Sequence, residues 1–288
     1  MRRLAELHVH LEGTIRYETA VALAAQKGLP KPATYEYSNL AGFLDVYMQV
    51  ARFLVTGQDF ERVIREHGEV MARQGIVYAE ISVNPSLHPA DDWTDGLVRG
   101  RRALAELGIE VWWLIELVRG APPGANERSL ELALRTEGVA GIGLVGDESI
   151  SASPLIGLIE RARAAHLGFM PHAGQVGGPV VVREAVEVLG ATRVAHGVGA
   201  ERDEAVLRLL ADRGVCLCVC PSSNRRIGLH PDFRKFTDLG IPLTVNTDDP
   251  AMVPTTLEQE LKLAETDYGL DPNTLLAVAW DHRFGGGG

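Results

Sequence analysis

Several apolar runs in this chain of 288 residues end in histidine or aspartate. His8 and His10 flank a valine, so in an extended strand both imidazoles point to the same face. His172, His196 and Asp248 each close a further apolar run. A lone histidine is more often structural than a metal ligand, but four such run ends together favour one shared site. Three imidazoles and a carboxylate suit a divalent metal such as zinc, with a position left for water.

Such a site indicates metal-assisted hydrolysis. A bound metal lowers the pKa of its water toward neutrality and supplies hydroxide as the nucleophile. A histidine outside the ligand set, for which His196 is the candidate, could orient or deprotonate that water. The residues therefore predict a metal-dependent hydrolase.

The elements that must position these residues alternate regularly along the chain. Apolar runs rich in Val, Ile and Leu are separated by longer amphipathic stretches, which indicates parallel strands joined by helical crossovers. Eight such units in a chain of this length predict a (β/α)8 TIM barrel, in which the strand ends face one pocket. An open doubly wound sheet is the alternative, but no G-x-G-x-x-G sequence follows the first strand. The predicted strands are Ala5–His10, Ile76–Val83, Ile109–Val118, Val139–Gly146, Gly168–His172, Arg193–His196, Val215–Cys220 and Pro242–Asp248.

The segment between the first two predicted strands is far longer than a usual connection. Within it, Leu40, Phe43, Leu44 and Tyr47 recur at the spacing of one helix face. This helix either packs on the barrel or covers the active site as a lid, because insertions at this end of a barrel lie over the pocket. We predict a helical lid insertion at about residues 31–70.

The predicted single barrel covers residues 1–284. Residues 285–288 are all glycine, which cannot hold a helix, so we predict a tail outside the fold.

The composition excludes several classes of protein. A formal net charge of −10 argues against a nucleic-acid partner. No apolar run approaches the ~18 residues of a membrane span, and no export segment follows the N-terminus. Cys216, Cys218 and Cys220 share one face of a predicted strand, which favours buried small side chains over a zinc ribbon. We expect a cytoplasmic protein without a membrane or nucleic-acid partner; the sequence does not indicate its oligomeric state.

The sequence resembles the adenosine deaminase family in several motifs, in the family's order and over nearly the whole chain. The motifs are Glu6-Leu7-His8-Val9-His10-Leu11-Glu12-Gly13, Leu144-Val145-Gly146-Asp147-Glu148, His172-Ala173-Gly174, Ala195-His196-Gly197, Cys220-Pro221, Ser223-Asn224 and Asn246-Thr247-Asp248-Asp249-Pro250.

This resemblance implies a deaminase that acts on the 6-amino group of a purine. One zinc ion would be held by His8, His10, His172 and Asp248, and His196 would place the hydroxide at C6 of the purine. Asp249 would face N7 of the ring and the backbone of Gly146 its N3. The implied catalytic residues are Gln175, His196 and Asp248. The implied substrate contacts are His10, Glu12, Leu40, Phe43, Leu44, Tyr47, Gly146 and Asp249, with the helix from Leu40 to Tyr47 closing over the ligand.

Gln175 departs from the family's H-A-G-E motif. In the family, the fourth residue is a glutamate that passes a proton to N1 of the purine. The Gln175 amide can still donate a hydrogen bond to N1, but it has no proton to transfer. Since general acid catalysis contributes ~10²–10⁴ in rate, we expect an impaired chemical step.

Glu12 stands where true adenosine deaminases often have an aspartate that meets the ribose 5′ hydroxyl. A glutamate there is more similar to the adenine and aminodeoxyfutalosine deaminase branches, whereas Gly146-Asp147-Glu148 is more similar to the adenosine branch. The substrate stays open among these adenine-containing compounds. The alternatives to an active deaminase are a zinc-loaded purine-binding protein with little catalysis and a different metal hydrolase on the same barrel.

Overall fold

Eight parallel strands form the centre of the protein in a computed structural model that describes residues 3–88 and 92–286. Neighbours in the sheet are also neighbours along the chain, from β1 to β8. This order is that of a TIM barrel and excludes the doubly wound sheet, in which the strand order reverses. The strands are β1 Leu4–His10, β2 Ile76–Val83, β3 Glu110–Val118, β4 Val139–Val145, β5 Gly168–Ala173, β6 Arg193–His196, β7 Cys216–Val219 and β8 Leu243–Val245.

All eight predicted strands are confirmed. The main difference is at β8, which ends at Val245 although the apolar run predicted a strand to Asp248. Asp248 has a left-handed backbone, with φ of 65°, which a regular strand does not contain. The three cysteines of β7 and its end are buried and free, as predicted.

Helices connect the strands and surround the barrel. In α3, local signals set both ends: the Asp59 carboxylate accepts the Thr56 backbone N–H at 2.8 Å, and Gly75 ends the helix with φ of 76°. Within the described residues, no helix is long and apolar enough to cross a membrane. The helices are α1 Tyr17–Gln26, α2 Leu40–Ala51, α3 Gly57–Gln74, α4 Trp93–Glu106, α5 Ala125–Arg135, α6 Ile156–Ala164, α7 Pro179–Arg183, α8 Glu204–Asp212, α9 Pro221–Arg226, α10 Phe233–Asp238, α11 Leu257–Tyr268 and α12 Pro272–Asp281.

The long segment between β1 and β2 contains both an inserted helix and a wall helix. The predicted helix at 40–47 is present as the start of α2 and continues to Ala51. The predicted insertion of about 31–70 is too long, because α3 begins at Gly57 and packs against α4 and β2 as part of the outer ring. Phe60, Val63 and Ile64 of α3 are buried in that contact.

Side chains complete the closure of the barrel between β8 and β1. The backbone of Asp248 bridges both histidines of β1: His10 N–H donates to Asp248 O at 2.8 Å, and Asp248 N–H donates to His8 O at 3.1 Å. Further along the seam, Leu7 N–H donates to Asn246 Oδ1 at 2.8 Å. Thr247 N–H donates to the buried Glu6 carboxylate at 2.8 Å. The seam therefore joins the first and last strands by backbone and side-chain hydrogen bonds together.

The opposite end of the barrel contains a buried ion pair. Arg193 Nη2 and Glu80 Oε2 lie 2.6 Å apart, and each side chain is at most 1% exposed. The Arg193 guanidinium also lies 3.8 Å from the centre of the Phe284 ring. The prediction of a glycine tail outside the fold is wrong for Gly285, which is buried and donates its N–H to Tyr78 Oη at 3.0 Å. Gly285 packs against Trp112, where a larger residue would clash. Residues 287 and 288 lie outside the described residues.

We predict that Arg193→Met lowers the free energy of unfolding by about 3–5 kcal/mol, because it leaves the Glu80 carboxylate buried without a cation. Urea unfolding measures the loss. Arg208→Met is the control, since Arg208 forms an exposed pair with Glu204 and its loss should stay within error. The double variant Glu80→Gln/Arg193→Met should recover part of the loss. A loss for Arg193→Met no larger than that of the control would show that the buried pair does not stabilise the barrel.

Candidate active site

One cavity opens at the carboxyl ends of the strands. Its volume is about 540 Å³, which lies in the range of sites that bind ligands of drug size. His10, His172 and His196 reach it from β1, β5 and β6, and Asp248 reaches it from the segment after β8. His8 lies beneath them, fully buried. The structure thus brings together the residues that the sequence predicted as one site.

Three imidazole nitrogens of this cluster face one another. His172 Nε2 lies 3.2 Å from His8 Nε2 and 3.2 Å from His10 Nε2. His8 Nδ1 lies 3.1 Å from the carbonyl oxygen of Cys218, which can only accept, so Nδ1 carries the hydrogen. The lone pair of His8 Nε2 therefore points to the meeting point of the three rings.

Asp248 contributes a carboxylate to the same point. Its Oδ1 lies 3.2 Å from His8 Nε2 and 3.5 Å from His10 Nε2. Its Oδ2 accepts a hydrogen bond from Ser223 Oγ at 2.6 Å, which orients the carboxylate. The left-handed backbone of Asp248 is an uncommon conformation for a residue other than glycine, and such conformations cluster at functional sites.

His196 approaches the other side of the Asp248 carboxylate. Its Nε2 lies 3.7 Å from Oδ2, and its backbone is also left-handed, with φ of 60°. The potential ligand atoms of His8, His172, His196 and Asp248 all lie within 4.8 Å of one another. His196 is thus close enough to be a metal ligand. The sequence instead predicted it as a histidine outside the ligand set, and its position is also compatible with that role.

Burial controls the charge of the cluster. It lowers the pKa of His10 to about 4 and that of His196 to about 3. Burial would also lower the pKa of His8, but the Asp248 charge raises it above the ordinary value. The pKa of Asp248 lies well below its usual range, because the histidine neighbours outweigh its burial. Mostly neutral imidazoles and an ionised carboxylate form a donor set that fits zinc.

Gln175 lines the same cavity from the loop after β5. The carboxylate of Glu148 holds this loop by accepting three consecutive backbone N–H groups: those of Gln175 at 3.1 Å, Val176 at 3.0 Å and Gly177. Gln175 is therefore fixed beside the histidine cluster and is not a free surface residue.

Gly146 and Asp249 also line the cavity. Gly146 has φ of 102°, a conformation that favours glycine, and its backbone is exposed to the cavity at the end of β4. Asp249 Oδ1 is buried and has no hydrogen-bond partner among the described residues. Burial and the neighbouring Asp248 charge raise the pKa of Asp249 well above its usual range, which favours a protonated carboxyl.

Both carboxylate oxygens of Glu12 accept hydrogen bonds from other residues of the protein. Its Oε1 accepts from His88 Nε2 at 3.0 Å and from Asn84 N–H at 3.1 Å, and its Oε2 accepts from Tyr47 Oη at 3.1 Å. Burial would raise the pKa of Glu12, but the His88 hydrogen bond holds it below the ordinary value. The predicted substrate contact of Glu12 would require Tyr47 to move aside.

Two buried residues of this region were not predicted from the sequence as part of the site. His88, which belongs to none of the family motifs, is buried against Glu12 and Leu54 O. Glu116, on β3, is buried beside His10 and lines the cavity. Burial raises the pKa of Glu116 to about 8. Its signal in the sequence was a single charge inside the apolar run of β3.

Helix α2 covers one side of the cavity. Leu40, Phe43, Leu44 and Tyr47, which the spacing predicted to share one helix face, all line it. Leu44 is 47% exposed, so the inner face of α2 is only partly covered.

Comparisons with known proteins agree with this geometry. The model of the adenosine deaminase family matches residues 4–281. An aminodeoxyfutalosine deaminase of Acidothermus cellulolyticus is 33% identical, over 94% of this chain and 84% of the relative. An adenine deaminase of Sinorhizobium medicae is 34% identical, over 92% of this chain and 88% of the relative.

Two solved structures are also similar. The adenine deaminase from Arthrobacter aurescens superposes with a TM-score of 0.92 at 28% identity, covering 99% of this chain and 94% of that one. An amidohydrolase from Burkholderia ambifaria with bound Zn has a TM-score of 0.89 at 27% identity, covering 98% of this chain and 85% of that one.

The family match extends over nearly the whole chain, and relatives above 30% identity cover most of it. The chain belongs to the adenosine deaminase family and is a deaminase, a hydrolase that acts on a C–N bond.

Proposed function

We propose that this protein is a zinc-dependent hydrolytic deaminase of the 6-amino group of an adenine-containing nucleoside or base, impaired by Gln175. The observation that carries the proposal is that Nε2 of His8 and Nε2 of His10 each lie 3.2 Å from His172 Nε2, and lie 3.2 Å and 3.5 Å from Asp248 Oδ1. These four residues are the proposed ligands. His196 is left outside the set, because it faces the opposite oxygen of Asp248.

Zinc fits this donor set, and a similar amidohydrolase structure contains bound Zn. The ion would supply Lewis-acid activation of water for attack at neutral pH. Ser223 orients the Asp248 carboxylate, and Cys218 O fixes the His8 tautomer. His196, beside Asp248, would orient the attacking water.

The remaining groups would orient the purine. With C6 at the histidine cluster, the protonated Asp249 carboxyl can donate to N7, and the backbone of Gly146 can contact N3. Gln175 can donate to N1 from its fixed loop. Without a proton to transfer, it supports binding of the ground state more than the reaction.

The second candidate function is a zinc-loaded purine-binding protein with little catalysis, which Gln175 favours. For the substrate, the similarity to an adenine deaminase and to an aminodeoxyfutalosine deaminase supports two members of the proposed class, adenine and aminodeoxyfutalosine. Ammonia release from adenine, adenosine and aminodeoxyfutalosine, with the zinc-loaded protein, separates these possibilities.

We predict about one zinc ion per chain after reconstitution, held by the three histidines and Asp248. His8→Ala and Asp248→Ala should each abolish tight binding, because each removes a ligand. His230→Ala is the control, since His230 is exposed and lies outside the cluster. Metal analysis after gel filtration measures the content. Unchanged zinc in His8→Ala would show that the ligand set is misassigned.

We predict that Gln175→Glu raises kcat by ~10²–10⁴, the contribution of a general acid, with a much smaller change in KM. Both side chains can present a hydrogen bond to N1, but only the carboxyl group can pass a proton as C6 becomes tetrahedral. Gln175→Leu is the control, because it removes the hydrogen bond and should raise KM without raising kcat. Rates of Gln175→Glu within about threefold of the chain with Gln175, far below a general acid effect, would mean that N1 receives its proton by another route.

We predict that a bound purine protects α2 from hydrogen exchange. Its inner face lines the cavity and is partly exposed, so a ligand would cover it. Helix α3 is the internal control, because it packs in the outer ring. Exchange with and without adenine measures the difference; equal protection of α2 in both states would contradict a lid.

A further inference from the structure

Glu116 is a buried carboxyl group that the proposed reaction does not use. It lies on β3, is fully buried and borders the active-site cavity. Among the described residues, neither of its oxygens has a partner in hydrogen-bond geometry, and its polar neighbour is the hydroxyl of Ser82, which acts to lower its pKa. A buried carboxyl group without partners is costly, so its retention needs an explanation.

The histidines of the cluster differ in how their second nitrogen is used. His8 directs Nε2 to the meeting point and donates Nδ1–H to the Cys218 carbonyl. For His10 and His172, no carbonyl within the described chain plays that role. His10 Nδ1 lies 3.9 Å from Glu116 Oε1, and His172 Nδ1 is buried without a partner. Ring nitrogens of both histidines and an oxygen of Glu116 all lie within 4.8 Å of one another.

The Nδ1 atom of His10 and a carboxylate oxygen of Glu116 thus face each other, and within the described residues His10 Nδ1 has no hydrogen-bond partner. A histidine that binds a metal through one nitrogen almost always donates its other N–H to a carboxylate, a carbonyl or water. This fixes the ring orientation and makes the metal-binding nitrogen more basic.

We propose that Glu116 is a positioning residue that accepts a hydrogen bond from Nδ1–H of His10 and so holds its Nε2 atom towards the metal. The proposal rests on the zinc site of the proposed function. Glu116 plays for His10 the part that the Cys218 carbonyl plays for His8.

Zinc affinity, measured by competition with a chromogenic chelator, tests this role. Glu116→Ala should weaken zinc binding about 10–100-fold, the usual effect of removing such a partner. Glu116→Gln keeps one acceptor oxygen and nearly the same volume, so its loss should be smaller. The control is Glu80→Gln, which alters a glutamate equally buried on the neighbouring strand but at the opposite end of the barrel. It should bind zinc as the natural chain does.

The absorption spectrum of bound Co²⁺ gives a second readout, which reports the geometry of the ligands directly. We expect Glu116→Ala to change the spectrum and Glu80→Gln to leave it unchanged. Zinc affinities of both Glu116 variants within about threefold of the natural chain, well short of the usual effect, would overturn the role of Glu116 alone. Failure of the natural chain to bind zinc would overturn the proposed function and this inference together.

Discussion

The closure of the barrel between its last and first strands is the constraint on which the active site depends. His8 O and His10 N–H both bond to the backbone of Asp248, so three proposed metal ligands are joined by main-chain hydrogen bonds. A shift of this seam by one residue would turn the imidazoles of β1 to the other face. The Asn246 and Glu6 side chains, which complete the seam, therefore help to set the geometry of the site as well as the fold.

The site gathers several carboxyl groups in a buried environment, which disfavours their charged forms. Glu116, Asp248 and Asp249 are buried in the wall of one cavity, and Glu12 is buried against Tyr47, which also lines it. The protein balances some of this directly, since His88 pairs with Glu12, and histidines surround Asp248. Asp249 and Glu116 are instead shifted towards their protonated forms. A local loss of stability from buried carboxyl groups is typical of functional sites, and the large apolar core outside the barrel offsets it.

The fold and the metal cluster were predictable because both follow from local patterns. Period-two spacing puts His8 and His10 on one face, and the barrel order brings the strand ends together. Glu116 and His88 were not predictable in their roles, since their partners lie on other strands. The contact between His88 and Glu12 joins residues 76 positions apart, which no local pattern encodes. Gly285 was assigned to the tail because a run of glycines gives no sign that the backbone of Gly285 packs closely against Trp112.

The loop that carries Gln175 is held by its backbone, so the position of residue 175 and the chemistry of its side chain can be considered separately. Glu148 fixes this loop through the backbone N–H groups of residues 175–177, so the position of residue 175 does not depend on its side chain. A glutamate there would be partly buried beside the purine, which would disfavour its ionised form. The fixed loop would therefore favour a protonated glutamate, which is the state that a general acid needs before the reaction. With glutamine, the same loop still presents a hydrogen-bond donor in the same place, but the amide cannot transfer a proton to N1. Under the proposed function, glutamine at this position would remove stabilisation of the transition state and leave the proposed metal site and purine contacts in place.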